Sequence, residues 1–140
     1  MIRHQLLLSA IVILWACDGT PFSPTVENMA GRYQATTLQV DSAGHVTDYI
    51  VIGSAITLDL NSAGTVTGHL LIVGGNENGS DMDADMAGTW ALTGDTVTFD
   101  QTADTFVRDY VFTARRGRLH SEHRAAAAGA TVTVEFTKRD

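Results

Sequence analysis

The chain has 140 residues, of which nine are Lys or Arg and sixteen are Asp or Glu, so its formal charge is −7. Hydrophobic residues make up 44% and charged residues 18%, which is typical of a globular domain and not of a disordered chain. The acidic balance argues against a nucleic-acid-binding protein, because such proteins need clustered Lys and Arg. With one Cys, neither a disulfide framework nor a Cys-based zinc site can form within the chain.

The N-terminal residues are typical of an export signal. Arg3 and His4 precede an uncharged, almost wholly apolar run over 6–16, which stops directly before Cys17. A run of about eleven residues has the length of a signal-peptide core, and it is too short for a transmembrane helix, which needs about 20 residues. We therefore expect the domain that follows to be exported from the cytoplasm.

The residues around Cys17 resemble the lipobox of bacterial lipoproteins, which reads aliphatic, variable, small, Cys. Leu14, Ala16 and Cys17 fit that pattern, and Trp15 is bulkier than the usual occupant of its position. The resemblance implies cleavage before Cys17, a thioether-linked diacylglyceryl on its sulfur, and acylation of the new amine with a fatty acid such as palmitate. Two or three acyl chains anchor a protein firmly to a membrane. The alternatives are an ordinary secretory signal with an incidental Cys, or an uncleaved signal anchor.

Three segments are predicted from this reading. A signal peptide helix occupies 1–16, a lipidated Cys with a flexible tether occupies 17–28, and one domain occupies 29–140. Both prolines, Pro21 and Pro24, fall in the tether, as expected of a short extended segment. The expected location is the bacterial cell envelope, with the anchor in the inner or outer membrane and the domain facing the periplasm or the exterior.

From residue 29 onward the pattern is that of β-strands. No Pro occurs there, and turn signals containing Gly recur every eight to twelve residues or so. Between the turns the hydrophobic residues alternate with a period of two, as in Ile56, Leu58 and Leu60 opposite Thr57 and Asp59. We predict strands near 31–40, 46–52, 55–60, 65–73, 86–92, 95–100, 105–114, 118–124 and 131–138.

The short connections between these strands force neighbours to be antiparallel. A sheet of this size avoids exposed edges most simply by closing on itself. The predicted fold is therefore all-β: after the N-terminal signal peptide helix, the chain forms an antiparallel up-and-down β-barrel of about eight or nine strands.

A short phrase occurs twice in the predicted barrel, fifty-seven residues apart: MAGRY at 29–33 and MAGTW at 86–90. In each phrase the Gly allows a sharp entry into a strand, and the aromatic residue can plug one end of the barrel. Here the sequence resembles the lipocalin-like bacterial lipoproteins and, more remotely, the calycin barrels, which carry Gly-x-Trp at their first strand. Gly31-x-Tyr33 matches that pattern with Tyr in place of Trp, and 87–99 resembles a strand–turn–strand phrase of those lipoproteins.

That resemblance implies non-catalytic binding of a small hydrophobic or amphipathic ligand inside the barrel. A basic residue of the last strands that packs on the plug is also implied, and Arg124 and Lys138 are both candidates. The candidate ligand-binding residues are large side chains expected on the inner face: Tyr33, Leu58, Trp90, Phe99, Phe106, Arg108, Tyr110, Phe112 and Phe136.

Arg108 invites a specific hypothesis. It alternates in register with Phe106, Tyr110 and Phe112 in the strand predicted over 105–114, so we expect it to face the interior. Because a buried Arg must be paired or hydrogen-bonded, it could recognise a carboxylate head group on an apolar ligand. The alternative is that Arg108 lies at the barrel mouth or pairs internally with an Asp.

A filled barrel is the rival functional hypothesis. Eight strands can close with no cavity left, and the protein would then be a structural or protein-interaction module of the envelope without a ligand. An apolar lumen of roughly 300 Å³ or more would favour ligand binding, and a filled interior would favour the module.

An acidic cluster, Asp81, Asp83 and Asp85, offers oxygen ligands of the kind that calcium prefers. Counted from Asp81, however, the sixth loop position is Met86 where a Gly is needed, and the twelfth is Leu92 and not Glu, which excludes an EF-hand. An irregular calcium loop and a solvated acidic loop both remain open.

No other motif indicates a metal site or an enzyme. His120 and His123 fall on opposite faces of a strand, so they cannot chelate one ion without a bulge. His45 and His69 are isolated in the sequence, and no Gly-x-Ser-x-Gly elbow or phosphate-binding loop is present. We therefore predict a protein that is not an enzyme and has no cofactor.

Overall fold

The computed structural model describes residues 19–125 and 129–140. The signal peptide and the lipidation of Cys17 lie outside the described residues. The described part of the chain contains two short helices, α1 (Val26–Met29) and α2 (Phe106–Asp109). Its strands are β1 (Gly31–Ser42), β2 (His45–Asp48), β3 (Ala55–Leu60), β4 (Thr65–Ile72), β5 (Met82–Thr93), β6 (Thr96–Gln101), β7 (Phe112–Arg115), β8 (Arg118–Ala125) and β9 (Ala130–Arg139).

Eight of these strands form a closed antiparallel barrel. From β3 to β9 each strand pairs with the next one along the chain, and β1 closes the barrel by pairing with both β3 and β9. β2 is an additional strand that pairs with the second half of β1. The all-β, antiparallel up-and-down barrel predicted from the sequence is therefore confirmed.

The strand predicted over 46–52 is wrong in its second half. After β2 ends at Asp48, residues 49–54 form a turn that leads into β3. The Asp48 carboxylate stabilises the turn, because it accepts hydrogen bonds from the backbone N–H of Ile50 (3.0 Å) and Val51 (3.4 Å). The turn carries Tyr49 and Ile50 back against the barrel instead of along β1.

The strand predicted over 105–114 is also wrong in its first half. Residues 106–109 are helix α2, and β7 begins only at Phe112. A helix of four residues is too short to show a 3.6-residue period in the sequence, so alternation of apolar residues was a misleading signal. In the helical turn, Phe106 and Tyr110 lie on one side with ring centroids 5.3 Å apart, and Val107 is the residue that is fully buried.

We call the end of the barrel where β1 begins and β9 ends the closed end. Helix α1 covers it: Met29 is fully buried, and the Tyr33 hydroxyl donates a 2.8 Å hydrogen bond to the carbonyl oxygen of Met29. Residues 26–28 of α1 were predicted to be part of the flexible tether, but a capping box between Thr25 and Asn28 fixes the helix. The domain therefore includes the last part of that segment.

Lys138 is the basic residue that packs at this plug, and Arg124 is exposed on β8. Gly31 has φ of +142°, a backbone conformation that L side chains rarely adopt, so the position favours glycine. The Lys138 ammonium donates a 3.1 Å hydrogen bond to the carbonyl oxygen of Asn28. The backbone conformation of Gly31 explains why Gly precedes the aromatic residue in the first of the two repeated phrases.

Large side chains fill the interior next to the closed end. Trp90, the aromatic residue of the second phrase, is 5% exposed, and its indole N–H donates to the carbonyl oxygen of Asn61 (2.8 Å). The ring of Phe112 lies 5.6 Å from that of Phe99 and 5.7 Å from that of Phe136. In the described residues, neither helix is long and apolar enough to cross a membrane.

Candidate functional site: an apolar pocket at the open end of the barrel

A pocket of about 200 Å³ lies at the open end of the barrel, where β1 ends and β9 begins. We call it the mouth pocket. Its lining is aliphatic and aromatic apart from two glycines and the hydroxyls of two tyrosines. The lining residues are Leu38, Val40, Tyr49, Ile72, Gly74, Gly75, Met82, Phe106, Tyr110 and Val132.

A β-bulge in β1 directs two of these side chains inward. Tyr33 and Ala35 are buried, and the register against β9 then shifts between Ala35 and Thr37. After the shift it is Leu38 and Val40 that face the interior, because an extra residue exchanges the two faces of a strand. The bulge therefore extends the apolar inner face of β1 up to the mouth.

The loop between β4 and β5 closes one side of the pocket. Gly74 has φ of +65°, and a Cβ on Gly75 would lie 2.8 Å from Cβ of Ile72, so both positions require the small residue. The Asp81 carboxylate accepts a 2.9 Å hydrogen bond from the Gly74 N–H and ties the two ends of the loop together. The two glycines, which in the sequence indicated only a turn, thus form part of the wall.

Helix α2 brings the aromatic residues to the pocket. Phe106 and Tyr110 pack against each other, and the imidazole of His123 on β8 stacks on Tyr110 with centroids 4.4 Å apart and an interplanar angle of 19°. Phe106 and Tyr110 are partly buried, and His123 is exposed. Burial, together with the charge of Asp109, raises the pKa of the Tyr110 hydroxyl above its ordinary value, so this hydroxyl is protonated at neutral pH.

Arg108 does not face the interior. Its guanidinium lies at the rim of the mouth and forms ion pairs with Asp104 and, at 2.8 Å, with Asp109. The hydrogen bond from Arg108 lowers the pKa of Asp109, so the carboxylate stays charged. The expected inward orientation was wrong because α2 replaces the strand. An internal pair with Asp is not formed either, since both carboxylates are exposed, and the alternative of a position at the mouth describes the structure.

The nine predicted site residues thus separate into three groups. Phe106 and Tyr110 line the mouth pocket, and Arg108 lies at its rim. The other six belong to the buried core next to the closed end and do not line the mouth pocket: Tyr33, Leu58, Trp90, Phe99, Phe112 and Phe136.

A second depression, of about 390 Å³, lies on the outside of the barrel. Its lining includes the exposed side chains of Arg32, Asp59 and Thr67, and Arg32 and Asp59 form an ion pair at 3.3 Å. Because these side chains point away from the core, this groove is not a lumen. The volume of the mouth pocket, about 200 Å³, is below the roughly 300 Å³ of apolar lumen that would favour a ligand-binding barrel.

The acidic cluster is divided between two environments. Asp81 holds the loop between β4 and β5, whereas Asp83 and Asp85 lie on the outer face of β5 on either side of His69, at 3.5 and 2.9 Å. The hydrogen bond that His69 donates to the Asp85 carboxylate raises the pKa of His69. Among residues 19–125 and 129–140, no group of three or more His, Cys, Asp or Glu is placed to hold a metal ion.

Two solved structures resemble the fold. Both are mutants of the fluorescent protein UnaG, in which one asparagine is replaced by alanine or by glutamine. The alanine mutant is 13% identical to this chain, with a TM-score of 0.42, and the match covers 83% of this chain and 99% of the mutant's chain. The glutamine mutant is 12% identical to this chain, with a TM-score of 0.41, and the match covers 81% of this chain and 98% of the mutant's chain. No protein-family model and no curated protein matches the chain.

Proposed function

We propose that the protein binds a small hydrophobic or amphipathic molecule in the mouth pocket and does not convert it chemically. The observation that carries the proposal is the apolar lining of a pocket at the only end of the described barrel that α1 does not cover. Four strands, a turn, a loop and a helix converge there with buried and half-buried aliphatic and aromatic side chains, a lining typical of ligand sites in barrel mouths. The volume of about 200 Å³ suits a short chain or a single ring.

The lining residues also support a binding role and not a catalytic one. They include no Ser, Cys, Lys or His, so the pocket wall itself lacks a nucleophile paired with a general base. The phenolic oxygen of Tyr110, one of the two lining hydroxyls, holds its proton at neutral pH. Such a wall can exclude water and orient an apolar group, which is what a binding site requires.

Methyl resonances of methionine test the proposal. In protein labelled with carbon-13 at the methionine methyl groups, titration with hexan-1-ol is expected to shift the Met82 resonance saturably. Because hexan-1-ol is very small, we expect weak binding, with a dissociation constant of about 1 mM or somewhat lower. Met29, which is fully buried at the closed end, is the internal reference and is expected not to shift.

A pair of valine variants controls for non-specific effects. Val40→Phe fills the pocket and is expected to weaken hexan-1-ol binding by at least about tenfold. Val46→Phe adds the same bulk on β2 at a side chain that is 59% exposed and lies outside the pocket, so binding should change by less than about twofold. Equal effects of the two substitutions, or no saturable shift of Met82, would contradict the proposal.

A filled structural or interaction module is the second candidate. It is favoured by the packing of the interior near the closed end, where Tyr33, Phe112 and Phe136 are 0% exposed. An unperturbed Met82 in the titration above would support this candidate instead of the first.

We also propose that the domain is anchored to a membrane of the bacterial envelope through lipid on Cys17, on the basis of the lipobox resemblance. In cells that express the full chain, Cys17→Ser is expected to release the protein from the membrane fraction or to block its maturation. Ser23→Ala, six residues further along, is the control and should stay in the membrane fraction. Equal retention of Cys17→Ser, with no acyl mass on the wild-type protein, would show that Cys17 is incidental.

A further inference from the structure

Carboxylates outnumber cationic side chains at the mouth pocket. Asp81 accepts a hydrogen bond from the N–H of Gly74, which lines the pocket. Asp104 and Asp109 lie at the two ends of helix α2, which carries the lining residues Phe106 and Tyr110, and both pair with Arg108.

The basic groups at this end do not offset these carboxylates for an incoming anion. Arg108 already pairs with Asp104 and Asp109, so its guanidinium is occupied by two carboxylates. The imidazole of His123 lies flat on Tyr110, and Arg124, the next residue of β8, is exposed on the opposite face of that strand. A ligand carboxylate entering the mouth would therefore meet a net negative potential, which extends over about 10 Å at 0.1 M salt.

The wall offers the complementary feature, because it presents aromatic faces. Tyr49 lines the pocket from the turn after β2, and Phe106 and Tyr110 line it from α2. An ammonium group near the face of Phe or Tyr is attracted by the ring, and nearby carboxylates add to that attraction. Aromatic walls within an acidic rim thus match a cation attached to an apolar body.

We infer that the mouth pocket selects amphiphiles with a cationic ammonium head group over those with a carboxylate. The inference rests on the proposed function and specifies its ligand class. The inferred charge of the ligand head group is opposite to the one expected from the sequence, in which Arg108 binds a ligand carboxylate.

Three ligands with the same six-carbon chain test the inference on the full chain: hexyltrimethylammonium, hexan-1-ol and hexanoate, each titrated against the Met82 methyl resonance. We expect hexyltrimethylammonium to bind at least about tenfold more tightly than hexanoate, and the ratio to fall as salt is raised. Binding of none of the three would overturn the proposed function together with the inference. Saturable binding of hexan-1-ol, with equal or tighter binding of hexanoate than of the ammonium ligand, would overturn the inference alone.

Two double variants with the same change in net charge locate the effect. Asp81→Asn with Asp109→Asn removes two charges at the mouth, while each asparagine keeps an amide oxygen that can accept a hydrogen bond, and the ammonium-to-carboxylate ratio is expected to fall by at least about threefold. Asp59→Asn with Asp95→Asn removes two exposed charges that are not next to the pocket lining, and the ratio should stay the same. Equal reductions in both double variants would show that net charge, and not the rim, sets the preference.

Discussion

Replacing Phe136 with alanine is expected to lower the free energy of unfolding by about 3–5 kcal/mol, the range for removing a large buried aromatic side chain. Phe136 is 0% exposed and lies on β9, where it is opposite Ala35 of β1 and Leu119 of β8. It therefore packs where the last strand closes the barrel, and its ring contacts that of Phe112. Denaturant unfolding followed by the fluorescence of Trp90 measures the loss.

Glu135→Ala is the matched control on the same strand. Glu135 lies on the outer face, is about one-fifth exposed, and pairs with Arg118 at 3.3 Å. Because partly exposed ion pairs contribute little, we expect a loss within about 1 kcal/mol. Similar losses for both variants would contradict the assignment of Phe136 to the inner face.

Raising the pH from well below 10 to above 12 is expected to destabilise the protein by up to about 2.7 kcal/mol through Tyr33 alone. Burial raises the pKa of the Tyr33 hydroxyl from 10.0 to about 12. Above pH 10 the unfolded chain releases this proton while the native state keeps it, so the unfolded state is favoured as the pH rises. The contribution is fully present below pH 10 and is lost as the pH passes through about 12.

Tyr33→Phe isolates this effect. The variant loses the hydrogen bond to the carbonyl oxygen of Met29, which we expect to cost about 1 kcal/mol at neutral pH. Its stability should then fall less steeply than that of the wild type in the alkaline range, so the two unfolding curves converge. Parallel curves for the two proteins between about pH 10 and 12 would show that Tyr33 does not hold its proton in the native state.

The sequence correctly predicted the strands in which every apolar residue of the alternating pattern is buried. Ile56, Leu58 and Leu60 on β3, and Val97 and Phe99 on β6, all face the core as the period of two indicated. In such strands a shift of one residue would expose the entire apolar set, so the local pattern fixes the face.

The mouth pocket was less predictable, because its residues depend on breaks in that pattern. The bulge after Ala35, which turns Leu38 and Val40 inward, is set by pairing with β9 about a hundred residues away. Tyr49 and Met82 were missed for similar reasons: a turn replaces the predicted strand at 49–54, and β5 begins four residues before the predicted strand. Two parts of the pocket left a signal in the sequence. Gly74-Gly75 indicates a turn, and the aromatic residues of 105–114 alternate in a way that predicts a strand in place of helix α2.

The position of α1 at the closed end has a consequence for the direction of ligand traffic. Phe22 already packs against the barrel near Arg116, so a lipid on Cys17, as proposed, would be at most about 18 Å of extended chain from the domain. The closed end would then lie next to the bilayer, and the mouth would point into the aqueous compartment. Such a protein would exchange its ligand with solution, or with a partner across that compartment, and would not extract it from the leaflet that holds its own anchor.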